Sequence, residues 1–302
     1  MASKINIEQY IGEIKRRMNL NIADDIIKKD LLLTLILAEF GKMDLGKDLI
    51  FKGGTLLSRN YLNYHRFSED LDFVYKDSST IRELPRSMRE RKIKNFIDFF
   101  ILGLKKVADT LELEFSTNRS DKRFCRIRNG RVVYTFKLYY SDKNFIKVEI
   151  NFVEKLINKP EIVSIKAITD FFDSKELMFT LGLDICNFRV LSYPLEEIVL
   201  EKYRALLTRE KFKERDLFDL FLIKDSLKVD INLVVEKIKS SSLIKRDVHK
   251  IIMDKLSLIK KGDFFVGEER IEDLAVVNYD MEQFNAFKDK IKPILMEICE
   301  RF

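Results

Sequence analysis

Several residue types are scarce in this chain. It holds 2 His, 3 Cys, 4 Pro and 10 Gly in 302 residues, and no Trp. The two histidines, His65 and His249, have no nucleophile-like neighbours, so a Ser/His/Asp triad has no support. Cys125, Cys186 and Cys299 are far apart in apolar surroundings. They lack metal-ligand spacing, and their odd number argues against a disulfide framework, so buried free thiols in a reducing cytoplasm are expected. Few Gly and Pro imply much helix and few long loops. The first residues, MASKINIEQYIGEIKRR, are charged throughout and carry no signal-type apolar region. The run Leu31–Ala38 is bracketed by Asp30 and Glu39, too short to cross a membrane. Internal repeats and low-complexity tracts are also missing. The expectation is a soluble cytoplasmic protein with no membrane partner.

What is present is a globular balance: 46% hydrophobic and 34% charged residues. The net charge of +6 permits a nucleic-acid partner without requiring one. Residues 5–44 read as helical, with Asp30 capping the apolar run that follows it. Leu49–Phe51 reads as a strand, Thr55–Tyr61 as a helix and Leu71–Tyr75 as a second strand. Residues 79–86, serine-bearing and ending near Pro85, read as a loop. Arg86–Thr110 has a helical period, with Ile93, Phe96, Ile97, Phe100, Leu104 and Val107 on its apolar face. Four strand candidates follow: Leu113–Ser116, Arg123–Arg128, Arg131–Tyr140 and Phe145–Val153. Asn129-Gly130 predicts a two-residue hairpin between the second and third. Helices dominate beyond Pro194. The domain reading is a core over 1–160 with N-terminal helices, and a mainly helical part over 161–302 that contributes to the active site.

Three constellations carry chemistry. The first is Phe51–Tyr75, FKGGTLLSRNYLNYHRFSEDLDFVY. On a strand Asp70 and Asp72 point to one side, and Leu71 and Phe73 to the other. Two carboxylates on one face repel unless a cation lies between them, and oxygen-only donors suit Mg²⁺. Gly53-Gly54-Thr55 entering a helix offers backbone N–H groups and a hydroxyl to phosphate. Alone, the glycines would be a tight turn and the aspartates a solvated edge strand; together they read as a magnesium-nucleotide site. Glu149 lies on the polar face of its strand with Lys147 and Asn151, a carboxylate of the same kind as the Asp70/Asp72 pair.

The second is Lys202, at the end of an i, i+3, i+4, i+7 stripe begun by Leu195, Ile198 and Val199. It is either a snorkelling side chain or a buried ammonium held by phosphate or carboxylate. The third is Arg215-Asp216-Leu217-Phe218-Asp219-Leu220, in which Asp216 and Asp219 share a face with Leu220 and Ile223. Asp216 reads either as a favourable charge at a helix start or as the partner of Lys202. Two basic clusters, Arg86–Lys94 and Arg119–Arg131, are a solvated face or an RNA-backbone surface.

In this order, these stretches resemble the AbiEii/AbiGii-type nucleotidyltransferases, the toxins of type IV toxin–antitoxin and abortive-infection systems that include the MenT toxins. KGGTLLSRNYL and RFSEDLDF resemble that family's opening motif, EKYRALLTR its lysine-bearing helix and KERDLFDL its Arg-Asp-x-x-Asp motif. Tyr203 stands where an aliphatic residue is more usual. The resemblance implies an α+β nucleotidyltransferase fold, a mixed sheet flanked by helices followed by a helical C-terminal portion. It implies Mg²⁺ and an NTP, with Asp70 and Asp72 as metal ligands and Glu149 as a third. Gly53, Gly54, Thr55 and Lys202 would bind the nucleotide, and Asp216 would complete the catalytic set. It further implies transfer of a nucleoside monophosphate to RNA, above all the 3′ end of tRNA, in phage defence, with a cognate antitoxin encoded nearby. The alternatives are modification of a protein or small-molecule hydroxyl, or a non-catalytic NTP-binding regulator.

Overall fold

The computed structural model describes residues 7–18, 22–43, 45–168, 189–226, 228–240, 247–267, 271 and 275–302. Two compact units result, one of Met1–Val153 with Pro160–Ser192 and one of Glu154–Lys159 with Tyr193–Phe302. Cys186 lies outside the described residues, whereas Cys125 and Cys299 are free and buried.

The first unit opens with helices α1 (Ile7–Met18) and α2 (Asp24–Lys42). Next comes strand β1 (Leu49–Lys52). Helix α3 (Gly53–Leu56) follows and continues as a wider π-helical turn over Leu57–Tyr61. Strand β2 (Asp70–Tyr75), the short helix α4 (Ser78–Glu83) and the long helix α5 (Arg86–Thr110) come next. Strands β3 (Cys125–Arg128), β4 (Val133–Tyr139), β5 (Phe145–Asn151), β6 (Glu161–Ser164) and β7 (Arg189–Ser192) complete it. They form one mixed sheet in the order β3-β4-β5-β2-β1-β7-β6. β2 runs parallel to β5 and β1 parallel to β7; the remaining neighbours are antiparallel. β6 and β7 thus extend the sheet past residue 160.

Alternation along the strands decides the two faces. Ile146, Val148 and Ile150 of β5 are fully buried, and Lys147, Glu149 and Asn151 between them are only partly covered. The apolar face is closed by aromatic packing: Phe40 of α2 and Phe73 of β2 stack with centroids 5.9 Å apart. Phe100 of α5 meets Phe40 and Phe136 of β4, each at 5.7 Å. Burying each such ring stabilises by about 1.5–3 kcal/mol. The opposite face carries Asp70 and Asp72.

Four local expectations change. The helix holding Asp30 begins at Asp24, so Asp30 is no cap. It is buried mid-helix, and its carboxylate accepts from Arg59 Nη2 at 2.8 Å and from the Tyr64 hydroxyl at 3.3 Å. Burial pushes its pKa up, with Arg59 pulling the other way. Residues 78–83 are helical rather than loop; Leu84, ahead of Pro85, is the extended break. The β3–β4 connection spans four residues, since Arg128 pairs with Val133. Asn129, Gly130 and also Arg131 take positive φ there. Leu113–Ser116 contributes a single bridge, Glu114 to Tyr139, in place of a strand.

The second unit consists of helices α6 (Leu195–Thr208), α7 (Glu214–Ile223), α8 (Ile231–Ser240), α9 (Val248–Lys261) and α10 (Met281–Arg301). α6 packs against α7, α8 and α9, and α10 packs against α9 and α8. Phe218 and Phe284 meet edge to face at 5.6 Å in its core. No helix among the described residues is long and apolar enough to cross a membrane.

Candidate active site

On the polar face of the first unit's sheet, register places the charged residues in rows. Asp70 pairs with Lys147 and Asp72 with Glu149 across β2 and β5, and Lys52 pairs with Asp72 across β1 and β2. Asp70 and Asp72 therefore share one face, as the spacing predicts. Lys147 was not singled out by the sequence. Its Nζ lies 2.7 Å from Asp70 Oδ2. Burial works against its charge, but Asp72, Asp70 and Glu149 outweigh that and raise its pKa. The sequence signal was its phase in β5, the same as that of Glu149. Glu149 is itself engaged: Arg128 forms an ion pair with it, and the Thr135 hydroxyl lies 3.2 Å away.

The glycine turn is built against this face. Gly53 has φ +88°, a conformation that favours glycine, and a Cβ there would sit 2.7 Å from Asp72 Oδ2. A Cβ on Gly54 would sit 2.8 Å from Arg66 Nη2 and 3.1 Å from Ser68 Oγ. Thr55 is buried, and its hydroxyl donates to the carbonyl of Asp70 at 2.5 Å. The turn and the first aspartate are thereby fastened together. Ser58, one turn on, is also buried and donates to the carbonyl of Arg66. Behind them Arg59 ties the π-helical turn to Asp30 of α2 through a buried pair. Such wide turns recur beside functional sites.

Among the described residues, no three His, Cys, Asp or Glu side chains converge into a cation site. The chemistry of the Asp70/Asp72 pair suits a hard divalent ion, with Lys147 lying on Asp70 and Arg128 on Glu149.

In the helical unit the predicted Lys202–Asp216 pair forms. Lys202 Nζ lies 2.8 Å from Asp216 Oδ1 and 2.6 Å from Asp219 Oδ2. Lys202 does not snorkel: it is 7% exposed, and Asp216 and Asp219 are 2% and 0% exposed. Arg209 pairs with the other oxygen of Asp216. Burial alone would raise the Asp216 pKa; Lys202 and Arg209 overcome it and hold the carboxyl below its ordinary range. Of the histidines, His65 is buried and His249 lies beside the ring of Phe302.

The chain is similar in fold to MenT4, the nucleotidyltransferase toxin Rv2826c from Mycobacterium tuberculosis H37Rv, with a TM-score of 0.53. The match covers 97% of this chain and 90% of that one at 17% identity. No curated protein sequence matches. The model of the family described as nucleotidyl transferase AbiEii toxin, type IV TA system, matches residues 35–300, and the chain belongs to that family of nucleotidyltransferase toxins.

Proposed function

We propose that this toxin is a Mg²⁺-dependent enzyme that moves a nucleoside monophosphate from an NTP onto an RNA hydroxyl, with the 3′ end of tRNA as the leading acceptor. On this reading it acts in the cytoplasm in phage defence and is restrained by an antitoxin encoded nearby. The observation that carries the reading is the packing of Gly53 against the Asp72 carboxylate. A backbone able to approach phosphate oxygens thus lies beside two carboxylates able to hold their counter-ion.

Asp70 and Asp72 would hold the divalent ion, which when bound neutralises and polarises the triphosphate oxygens. The Gly53 and Gly54 backbone binds the β- and γ-phosphates, and Thr55 keeps that turn registered to Asp70. Lys147 pairs with the Asp70 carboxylate and would yield it to the ion. Arg128 and Thr135 fix Glu149, which serves to position the attacking hydroxyl or as a further ligand once Arg128 releases it. In the helical unit, Lys202 and Asp216 remain the proposed catalytic pair, the carboxylate fixing the ammonium. The acceptor O3′–phosphorus bond forms at the α-phosphate as the bond from the α-phosphorus to the α–β bridging oxygen breaks; pyrophosphate leaves with that electron pair, and the hydroxyl proton passes to solvent.

The test is incubation of the purified protein with each labelled NTP, Mg²⁺ and total RNA. Label should enter RNA with release of pyrophosphate, and Asp70→Ala and Asp72→Ala should abolish both. Transfer that survives in either variant overturns the metal assignment. Label entering protein or a small molecule overturns the acceptor, and NTP binding without pyrophosphate release overturns catalysis.

A further inference from the structure

The polar face that carries Asp70 and Asp72 does not end at β5. Register continues it across β4 and β3. Lys147 pairs with Lys137 and Glu149 with Thr135; Thr135 in turn pairs with Arg126. Two rows therefore run outward from the carboxylates, Asp70–Lys147–Lys137 and Asp72–Glu149–Thr135–Arg126, with Arg128 beside the second row. The sign of the face changes along them, from acidic at β2 to basic at the outer strands.

Most cations nearby face a carboxylate. Arg119 pairs with Asp98, Arg123 with Glu114, Arg128 with Glu149 and Arg131 with Glu90. Lys137 and Arg126 differ: among the described residues neither pairs with a carboxylate, and each lies close enough to feel the other's charge. Lys137 is held from behind by the ring of Phe145, its Nζ 4.0 Å from the centroid. Arg126 is exposed. Two neighbouring cations on one sheet face are mutually unfavourable unless an anion bridges them. This mirrors the argument that places a cation on Asp70 and Asp72.

We propose that Lys137 and Arg126 form a track for the phosphodiester backbone of the acceptor RNA, on the same sheet face as Asp70 and Asp72. The inference rests on the reading that the acceptor is RNA. The distances suit it. Strands are spaced about 4.8 Å apart, so β4 lies roughly 10 Å and β3 roughly 14 Å from β2. At about 3.4 Å per stacked nucleotide, that span corresponds to three or four residues of the acceptor behind its reacting end. A backbone lying across β4 and β3 would be held through phosphate, without reading sequence, while its terminal hydroxyl reaches the carboxylates.

The experiment measures RNA affinity of the full chain as a function of salt, for the wild type, R126Q, R126Q/K137Q and the charge-retaining R126K/K137R. Each lost phosphate contact lowers the slope of log K against log salt by about 0.7 for a single strand. The double neutralisation is expected to weaken binding roughly five- to tenfold and to lower the slope by about 1.4, R126Q alone by about half that. R126K/K137R should retain the wild-type slope. Melting curves of each variant identify any that has lost its fold, and R126Q, at an exposed position, decides the matter if the double variant has. An unchanged affinity and slope in folded R126Q/K137Q, with wild type still labelling RNA, overturns the track and leaves the RNA acceptor standing. A wild-type protein that labels another class of acceptor and binds no RNA overturns both.

Discussion

Lys147 Nζ lies 2.7 Å from Asp70 Oδ2, across the parallel pairing of β2 and β5, so an ammonium occupies one of the two carboxylates assigned to the metal. A divalent ion binding there competes with it. Removing that competition with Lys147→Met is expected to lower the Mg²⁺ concentration for half-maximal binding. A partly exposed pair is worth about 0.5–1 kcal/mol, which corresponds to about two- to fivefold. Calorimetric titration with Mg²⁺ or Mn²⁺ checks this; a variant that binds more weakly would show that Lys147 organises the pair rather than competing for it.

Gly53 answers to two constraints, of which Gly262 shares only one. Both take positive φ, +88° and +84°, but only at Gly53 does a Cβ collide, 2.7 Å from Asp72 Oδ2. Gly53→Ala should therefore cost about 1–2 kcal/mol in backbone strain and also push Asp72 out of place. Transferase activity per folded molecule should fall by at least tenfold. Gly262→Ala, at the end of α9 with open space around it, should cost a similar strain and leave activity per folded molecule intact. Denaturant midpoints together with turnover separate the two effects, and equal turnover in both variants would show that the contact with Asp72 does not matter.

How much of this was legible in the sequence depended on how far apart the partners were. Strand parity alone put Asp70 with Asp72 and Lys147 with Glu149, and the structure keeps both assignments. Helical spacing put Lys202 on a buried stripe, and Asp216, on the next helix, is within its reach. What parity could not supply was that β2 lies beside β5, so the contact of Lys147 with Asp70 stayed hidden. Asp30 misled for the same reason. A carboxylate ahead of an apolar run looks like a cap, and only Arg59, 29 residues on, reveals it as a buried ion pair. β6 and β7 were missed because four-residue strands have little alternation to read, and Ile162 of β6 is 60% exposed.

The Lys202 cluster is both a structural and a chemical claim, and the two separate by mutation. Lys202→Met leaves Asp216 and Asp219 without their shared ammonium at buried positions. That should cost about 3–5 kcal/mol. The triple variant Lys202→Met, Asp216→Asn, Asp219→Asn removes the two carboxylate charges together with the ammonium and should recover most of that loss by thermal or urea unfolding. Transfer activity should not return with it. A triple variant as active as wild type would reduce Lys202 to a packing role.

Asp216 also sets a pH dependence. Its folded pKa is held below the ordinary 3.8, so the unfolded chain binds its proton more readily. The stability it contributes is present above pH 3.8 and is lost as the pH falls through the folded value. Between about pH 5 and pH 2 the urea midpoint of the wild type should fall more steeply than that of Asp216→Asn. Equal slopes would mean that Arg209 and Lys202 do not favour the charged form.

Lys237 anchors the segment by which Glu154–Lys159 joins the helical unit. It is 1% exposed. Its Nζ donates to Glu197 at 2.6 Å and to the carbonyl of Lys155 at 2.7 Å, with Glu154 and Glu201 at 3.2 Å and 3.1 Å. Glu197 in turn accepts from the backbone amides of Ile157 and Asn158. Burial opposes the charge of Lys237, but Glu201, Glu154 and Glu197 outweigh it and raise its pKa, so the ammonium stays charged across the working range. Lys237→Met should thus leave Glu197 without its ammonium, while Glu201 keeps Arg204, and cost about 3–5 kcal/mol. The local effect should be larger than the global one. Hydrogen exchange at the amides of Ile157 and Asn158 should accelerate more than at Ile198 or Val199 within α6, because Glu197, deprived of its counter-ion, turns toward water and releases them. Uniform acceleration across the helical unit would instead make Lys237 part of the general core, with no particular hold on the segment.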